Sequence, residues 1–255
     1  MGATEDCLAG CLASEEDIVA LLSARHGDPF AVLGPHAGRD CLMIRALVPG
    51  AETLTLLNPD DSHGGLFARR HDRGFFELHL VGETKITPYR LRAETAGGAW
   101  EWHDPYAFGQ VLNDVDDQHL LEGTHSRLYE RLGAHPRQFD GVDGIAFAVW
   151  APSARRVSVV GDFNAWDGRR HPMRKRVTSG IWEIFMPGLA EGTIYKYEIL
   201  GRTGQVLPLK ADPFGFAAQL RPDTASVVAC TTGFNFKDEG FLACARSRVA
   251  LEPKP

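Results

Sequence analysis

The stretch Val157-Ser-Val-Val-Gly-Asp-Phe-Asn-Ala-Trp166 joins a strand, a turn and a large aromatic side chain. Its first four residues alternate between two faces, which is the period-two pattern of a β-strand. Gly161-Asp162 then interrupts this pattern, and Asn164 adds turn chemistry. Trp166 therefore lies between turn signals, in a segment that we expect at the surface.

Two interpretations of Trp166 follow from this position. The indole either folds back as a lid on the core or forms a platform for a flat ligand with an apolar face. The second role suits an aromatic ring that has one polar edge. The pattern of this stretch alone does not decide between them.

Composition excludes several classes of function. The chain has 255 residues and a net charge of -6, whereas a nucleic-acid-binding protein needs a basic stripe. It has no run of 18 apolar residues, so we predict no membrane span. Its N-terminus is acidic, which is the wrong composition for a signal peptide. This composition favours a cytoplasmic protein. The ten histidines and five cysteines lack metal-binding spacing, so we predict no metal and no cofactor.

Short alternating strands separated by glycine and proline predict an all-β sandwich. Ahead of them, residues 14–24 are predicted to form a short helix that Ser14 caps. The predicted strands comprise residues 42–48, 54–57, 75–80, 89–93, 145–150, 157–160, 182–186 and 193–199.

An internal repeat divides the chain. Three matched pairs carry it, with offsets of 103, 106 and 108 that grow only in loops: Pro49-Gly-Ala with Pro152-Ser-Ala, Gly74-Phe-Phe-Glu77 with Gly180-Ile-Trp-Glu183, and Asp104-Pro-Tyr-Ala-Phe108 with Asp212-Pro-Phe-Gly-Phe216. We therefore predict two tandem immunoglobulin-like sandwiches. Where the second copy has Trp166, the first reads Asn58-Pro-Asp-Asp61. An aromatic residue that one copy lacks is not needed to build the fold, which weakens the lid interpretation.

The predicted division has five parts. They are an N-terminal helical segment (1–25), a first sandwich (26–112), a partly helical linker (113–138), a second sandwich (139–232) and the start of a connection to a further domain (233–255). In the linker, the acidic run Asp114-Val-Asp-Asp117 is expected to be a solvated face, and Gly133 to stop a helical turn.

Aromatic residues inside predicted strands are expected in the core. Tyr89 and Tyr195 are equivalent in the two copies, and Trp150 and Trp182 both belong to the second copy. Trp100 and Trp102 remain open between strand packing and a separate contact surface.

Two family resemblances rest on quoted residues. Ala148-Val-Trp-Ala-Pro152 followed by Gly161-Asp-Phe-Asn-Ala-Trp166 resembles carbohydrate-binding module family 48. The stretches from His26 to His36 and from Gly123 to His135 resemble glycogen branching enzymes. The resemblance implies that Trp166, Asn164 and Lys196 bind an α-1,4-glucan such as glycogen. For Lys196 the alternative is a solvated surface lysine without a ligand. A second tryptophan that glucan-binding members often have is missing from the hairpin at residues 201–207.

The resemblance also implies that this chain binds and positions glucan for a branching enzyme. Such enzymes form α-1,6 branches by a retaining mechanism that uses two carboxylates on a β/α barrel. This sequence contains none of those barrel strands, so we predict no catalytic residue and no activity of the chain alone. The main alternative is a free-standing glucan-binding or regulatory protein. A position ahead of a debranching-enzyme or trehalohydrolase barrel is less consistent with the stretch at His26.

Overall fold

The computed structural model describes residues 12–38, 40–84, 88–230 and 238–251, and only the backbone of residues 246–251. Within these residues the strands form four antiparallel sheets of four strands each. The sheets make two sandwiches, one after the other along the chain, as the repeat predicts. Parts of the predicted segments 1–25 and 233–255 lie outside the described residues.

Strands β1 to β8 build the first sandwich. They are β1 (Gly34–Ala37), β2 (Cys41–Leu47), β3 (Thr53–Leu57), β4 (His63–Leu66), β5 (Ala68–His71), β6 (Phe75–Val81), β7 (Arg90–Thr95) and β8 (Gly98–His103). One sheet has the order β1-β2-β6-β5 and the other β4-β3-β7-β8. Apolar side chains of both sheets, including Leu54, Phe76 and Leu91, fill the core between them.

Strands β9 to β16 build the second sandwich. They are β9 (Gly133–Phe139), β10 (Val142–Trp150), β11 (Arg156–Gly161), β12 (Arg174–Lys175), β13 (Ile181–Pro187), β14 (Ile194–Leu200), β15 (Ala217–Ala218) and β16 (Ser226–Val227). The sheets have the orders β12-β13-β10-β9 and β11-β14-β16-β15. The core holds Phe147, Val157, Val159, Trp182 and Tyr195, which confirms the predicted inner faces.

The duplication also includes a helix ahead of each sandwich. Helix α1 (Glu15–Leu22) is capped by Ser14, whose Oγ accepts from the Asp17 amide, as predicted. Helix α2 (Asp114–Glu122) is capped by Asn113 in the same way, through the Asp116 amide. The chain then reaches β1 and β9 at Gly34 and Gly133 respectively. A third helix, α3 (Glu239–Leu251), follows the second sandwich.

Each copy also repeats one buried polar contact. The hydroxyl of Tyr89 donates to Asp104 at 2.6 Å, and that of Tyr195 donates to Asp212 at 2.7 Å. The other oxygen of each carboxylate accepts a backbone N–H two residues further on. The two tyrosines are buried, as expected, and they satisfy carboxylates that burial would otherwise destabilise.

The segment predicted as a linker differs from the expectation. Strand β9 pairs with β10 along its whole length, so the second sandwich begins at Gly133 and not near Phe139. The acidic run is only partly a solvated face, since Asp114 is exposed whereas Asp116 and Asp117 are not. It forms the first turn of α2, where the positive end of the helix favours carboxylates. Asp117 there accepts hydrogen bonds from Thr178 and Ser179 of the second sandwich.

Two further expectations were wrong. Helix α2 ends at Gly123, whose φ of 69° is left-handed, and not at Gly133. Trp150 is 62% exposed and does not lie in the core. The alternation along β10 places it on the outer face with Ala146 and Ala148. Neighbouring side chains pack over those two alanines but do not extend over Trp150.

Candidate functional site

A tight turn follows β11 at the edge of the second sandwich. Residues Asp162–Asn164 form a short 3-10 helix, and Ala165 and Trp166 follow it with φ of 56° and 59°. The Trp166 amide donates to the Gly161 carbonyl at 2.9 Å and closes the turn. Left-handed backbone at two consecutive residues other than glycine costs free energy, so the surrounding structure must hold it in place.

The Asn164 side chain holds this turn from within. It is 2% exposed. Its Oδ1 accepts from the Gly161 amide at 3.0 Å, and its Nδ2 donates to the Val159 carbonyl at 2.9 Å. The same Nδ2 lies 2.9 Å from Nδ1 of His171. Burial lowers the pKa of His171 to about 3, so its ring is neutral and Nδ1 can accept.

The Trp166 indole lies on the solvent side of the turn. The residue is half-buried, and its Nε1 donates to the exposed carboxylate of Asp162 at 2.8 Å. This bond fixes the ring against the turn that carries it. Among the described residues, the side chains that pack into the core of the second sandwich do not include Trp166.

Lys196 lies on the strand beside the turn. It pairs with Val160 across β11 and β14, next to the pair of Gly161 and Tyr195. Tyr195 points into the core, so Lys196 is on the outer face of the sheet. Its Nζ donates to Thr224 Oγ1 at 2.7 Å, and the residue is half-buried.

Two family models match this chain. Residues 14–106 match the N-terminal domain of alpha-1,4-glucan branching enzyme GlgB, and residues 131–215 match carbohydrate-binding module 48, the isoamylase N-terminal domain. The chain is therefore similar to the N-terminal region of branching enzymes, followed by a carbohydrate-binding module. The turn at Trp166 lies within the part that matches the binding module.

Curated relatives support the same family. The 1,4-alpha-glucan branching enzyme of Rhizobium meliloti is 53% identical over 93% of this chain and 32% of its own length. That of Mesorhizobium japonicum is 52% identical over 89% of this chain and 31% of its own length. The chain thus spans about a third of the relatives it matches and corresponds to their N-terminal region.

A solved structure of pullulanase from Anoxybacillus sp. LM18-11 matches 80% of this chain and 27% of its own. The identity is 16% and the TM-score 0.35, which supports no functional argument.

The segment after Trp166 folds back over the outer face of the module. The Gly168 carbonyl accepts from Arg156 at 2.9 Å and from Ser158 at 2.6 Å, both on β11. Arg156 also donates to Glu198 on β14 at 2.6 Å. A Cβ at residue 168 would overlap the Glu198 carboxylate, so a larger residue there would displace Glu198 from its contact with Arg156. Hydrogen bonds therefore hold the loop that carries the indole on both sides of Trp166, at Asn164 and at Gly168.

The structure brings two of the three predicted site residues to the surface and turns the third inward. Trp166 and Lys196 lie on the outer side of the module, whereas the Asn164 amide is buried and engaged within the protein. Sequence reasoning missed Asp162 and His171. The spacing of Asp162, four residues before Trp166, was the one available signal for its contact with the indole.

Of the helices in the part of the chain that the structure describes, none is long and apolar enough to cross a membrane. The described histidine, cysteine and acidic residues also form no group of three that could hold a metal ion.

Proposed function

We propose that this chain binds α-1,4-glucan through the turn at Trp166. The indole provides the apolar platform, and Lys196 on the neighbouring strand β14 provides a hydrogen-bond donor for sugar hydroxyls. Asn164 positions the platform by holding the turn from below. A single ring and a few hydrogen bonds make a weak site, since stacking on one ring is worth only about 0.5–1.5 kcal/mol beyond burial.

The observation that carries this proposal is the backbone of the turn itself. Trp166 has a left-handed conformation that a bulky residue rarely adopts. Asp162, Asn164 and Gly168 all hold this arrangement, although the first copy builds its sandwich without an equivalent. Strain of this kind is retained where a side chain must be presented in one place.

Native gel electrophoresis in glycogen tests the platform. The 255-residue chain should be retarded by glycogen, and Trp166→Ala should bind about two- to tenfold more weakly, as the loss of one stacked ring predicts. Trp150→Ala is the matched control, because Trp150 is an exposed tryptophan of the same module at another position. If glycogen retarded the parent and Trp166→Ala equally, Trp166 would not belong to the site. The same would follow if Trp166→Ala and Trp150→Ala lost the same amount of glycogen binding.

We further propose that this region positions glucan for a catalytic domain such as longer relatives have, and does not itself form branches. Four buried carboxylates recur as equivalent pairs in the two copies, and structural partners engage each of them. Asp104 and Asp212 accept from tyrosines, while Glu77 and Glu183 accept from arginines. Burial raises the pKa of Asp104 to about 6, yet its position between the Tyr89 hydroxyl and the Tyr106 amide is structural.

Incubation of the chain with amylose tests this second proposal. The expected result is no new α-1,6 linkage, scored by debranching and chain-length analysis. Clear branching activity would contradict it. The free-standing binding protein remains the alternative, and it predicts the same result in this assay. We also propose a cytoplasmic location and a division of the chain into two domains, one for each sandwich.

A further inference from the structure

Two adjoining cavities lie between the sandwiches. The first, of about 190 Å³, lies between the β8 edge of the first sandwich and the turn of the second, from Trp100 to Phe163. The other, of about 270 Å³, includes Tyr89, Phe108 and Asp140. His103 lines both cavities, so they adjoin along one groove. Together they approach the volume of ligand sites, about 300–1,000 Å³.

Contacts across the groove hold its walls together. The Tyr106 hydroxyl donates to the Pro172 carbonyl at 3.2 Å, and Arg170 donates to the Pro49 carbonyl at 3.4 Å. Arg174 of the second sandwich lies over the ring of Phe30, 3.9 Å from its centroid. The groove is therefore largely formed before a ligand arrives, which reduces the entropic cost of binding.

The lining of the groove fits a neutral ligand with apolar and polar faces. Trp100 is 39% exposed, and its ring is nearly parallel to that of Trp102, with centroids 6.1 Å apart and 19° between planes. Arg170 and Asp104 also line this cavity, and their opposite charges favour neither an anion nor a cation. The charged pair and the His103 imidazole disfavour a purely apolar ligand. Sugar rings have the required chemistry, because their flat apolar faces stack on indole while their hydroxyls bind polar groups.

We infer that the groove between the sandwiches is a second binding site for a short segment of α-1,4-glucan, with Trp100 as its stacking residue. This inference rests on the proposed glucan binding of the chain, and it adds a site that the first sandwich contributes. His103 lies where a sugar chain would pass from one cavity into the next. Asp140 of the second sandwich offers an acceptor for hydroxyls in the other cavity.

Calorimetric titration of the 255-residue chain with maltoheptaose tests the second site. The parent should titrate with two sites. Trp100→Ala should weaken one of them about tenfold, whereas Trp100→Phe should keep most of its affinity because a ring remains. Trp166→Ala should weaken the other site, and the double variant should lose both. Thermal unfolding of each variant controls for folding.

Hydrogen exchange gives a second readout that needs no substitution. Maltoheptaose should slow exchange of backbone amides in β8 of the parent, and this protection should persist in Trp166→Ala. Unchanged exchange in β8 would overturn the inference, as would identical isotherms for the parent and Trp100→Ala.

The two proposals fail in different ways. A single site that only Trp166→Ala removes would overturn the groove and leave the platform standing. A single site that only Trp100→Ala removes would support the groove and overturn the platform. No binding by the parent would overturn both.

Discussion

Asn164→Ala is the substitution that separates positioning of the indole from contact with sugar. It removes the side chain that bonds the Gly161 amide, the Val159 carbonyl and His171. Gly161 and Val159 are buried, so water cannot replace these bonds. His171 is half-buried and lines the groove, so we count only the first two losses.

The expected loss of stability follows from these two orphaned groups. Each buried backbone group without a partner costs about 1–2 kcal/mol, so Asn164→Ala should lower the free energy of unfolding by about 2–4 kcal/mol. For a domain of the size of the second sandwich, this loss of stability lowers Tm by at least about 8 °C. Asn164→Asp should lower the free energy of unfolding at least as much, because it places a carboxylate oxygen against two acceptors, the Val159 carbonyl and His171 Nδ1.

Urea unfolding measures this loss as a lower midpoint at an unchanged slope. Trp166→Ala is the control, and we expect it to change stability by less than about 1 kcal/mol, as for a side chain outside the core. Asn164→Ala should also weaken retardation by glycogen, since the turn no longer holds the indole. The reasoning is refuted if Asn164→Ala unfolds within about 0.5 kcal/mol of the parent, or if it loses stability and still binds glycogen fully.

Three further predictions concern the second sandwich. His171 has a folded pKa of about 3 against an ordinary value of 6.5, so the unfolded chain binds its proton first as pH falls. The contribution of His171 to stability should therefore decline from pH 6.5 towards 3, by up to about 1.4 kcal/mol per unit, and in pH-dependent urea titrations His171→Gln should lose less stability than the parent over this range. Tyr195→Phe should cost about 1–3 kcal/mol in thermal unfolding, because buried Asp212 loses a donor; an unchanged Tm would contradict this. Trp150→Ala should cost less than about 1 kcal/mol, because the ring is 62% exposed; a larger loss would show that its bond to the Ser179 carbonyl carries more than the exposure suggests.

The strands could be predicted because their physical signal is local. Alternating residues from Val157 and from Ile145 indicate which face of each strand packs into the core, and the repeat supported the strand assignment by giving it twice. The N-terminal helix was also local, since Ser14 and Asp17 form its cap. The position of helix α2 within the partly helical linker was missed for the opposite reason. Its acidic first turn suggests solvent until one knows that Thr178 and Ser179, some 60 residues later, meet Asp117.

Side-chain roles were harder to predict than strands. Trp150 was expected in the core because it lies inside a strand, although its alternation with Val149 already assigned it to the outer face. Asn164 presents a different difficulty. The sequence pattern is the same for a turn asparagine that bonds the backbone and for one that binds a ligand. Only the distances to Gly161 and Val159 show which role the amide has in this protein.

The duplication separates scaffold from function more sharply than burial does. Tyrosine-aspartate and arginine-glutamate contacts occur in both copies, so they are explained by the sandwich that both must build. The tryptophans outside the cores do not follow this rule. Trp166 replaces a turn that reads Asn58-Pro-Asp-Asp61 in the first copy, and Trp100 with Trp102 has no aromatic equivalent in the hairpin at residues 201–207. Trp102 packs against the core of the first sandwich, so folding explains it. Trp166 and Trp100 lie at places where the other copy folds without an indole, and folding alone gives no reason to keep these two. Because Trp166 lies on the outer turn and Trp100 in the groove, binding of a glucan chain to both would use the two sandwiches as one surface.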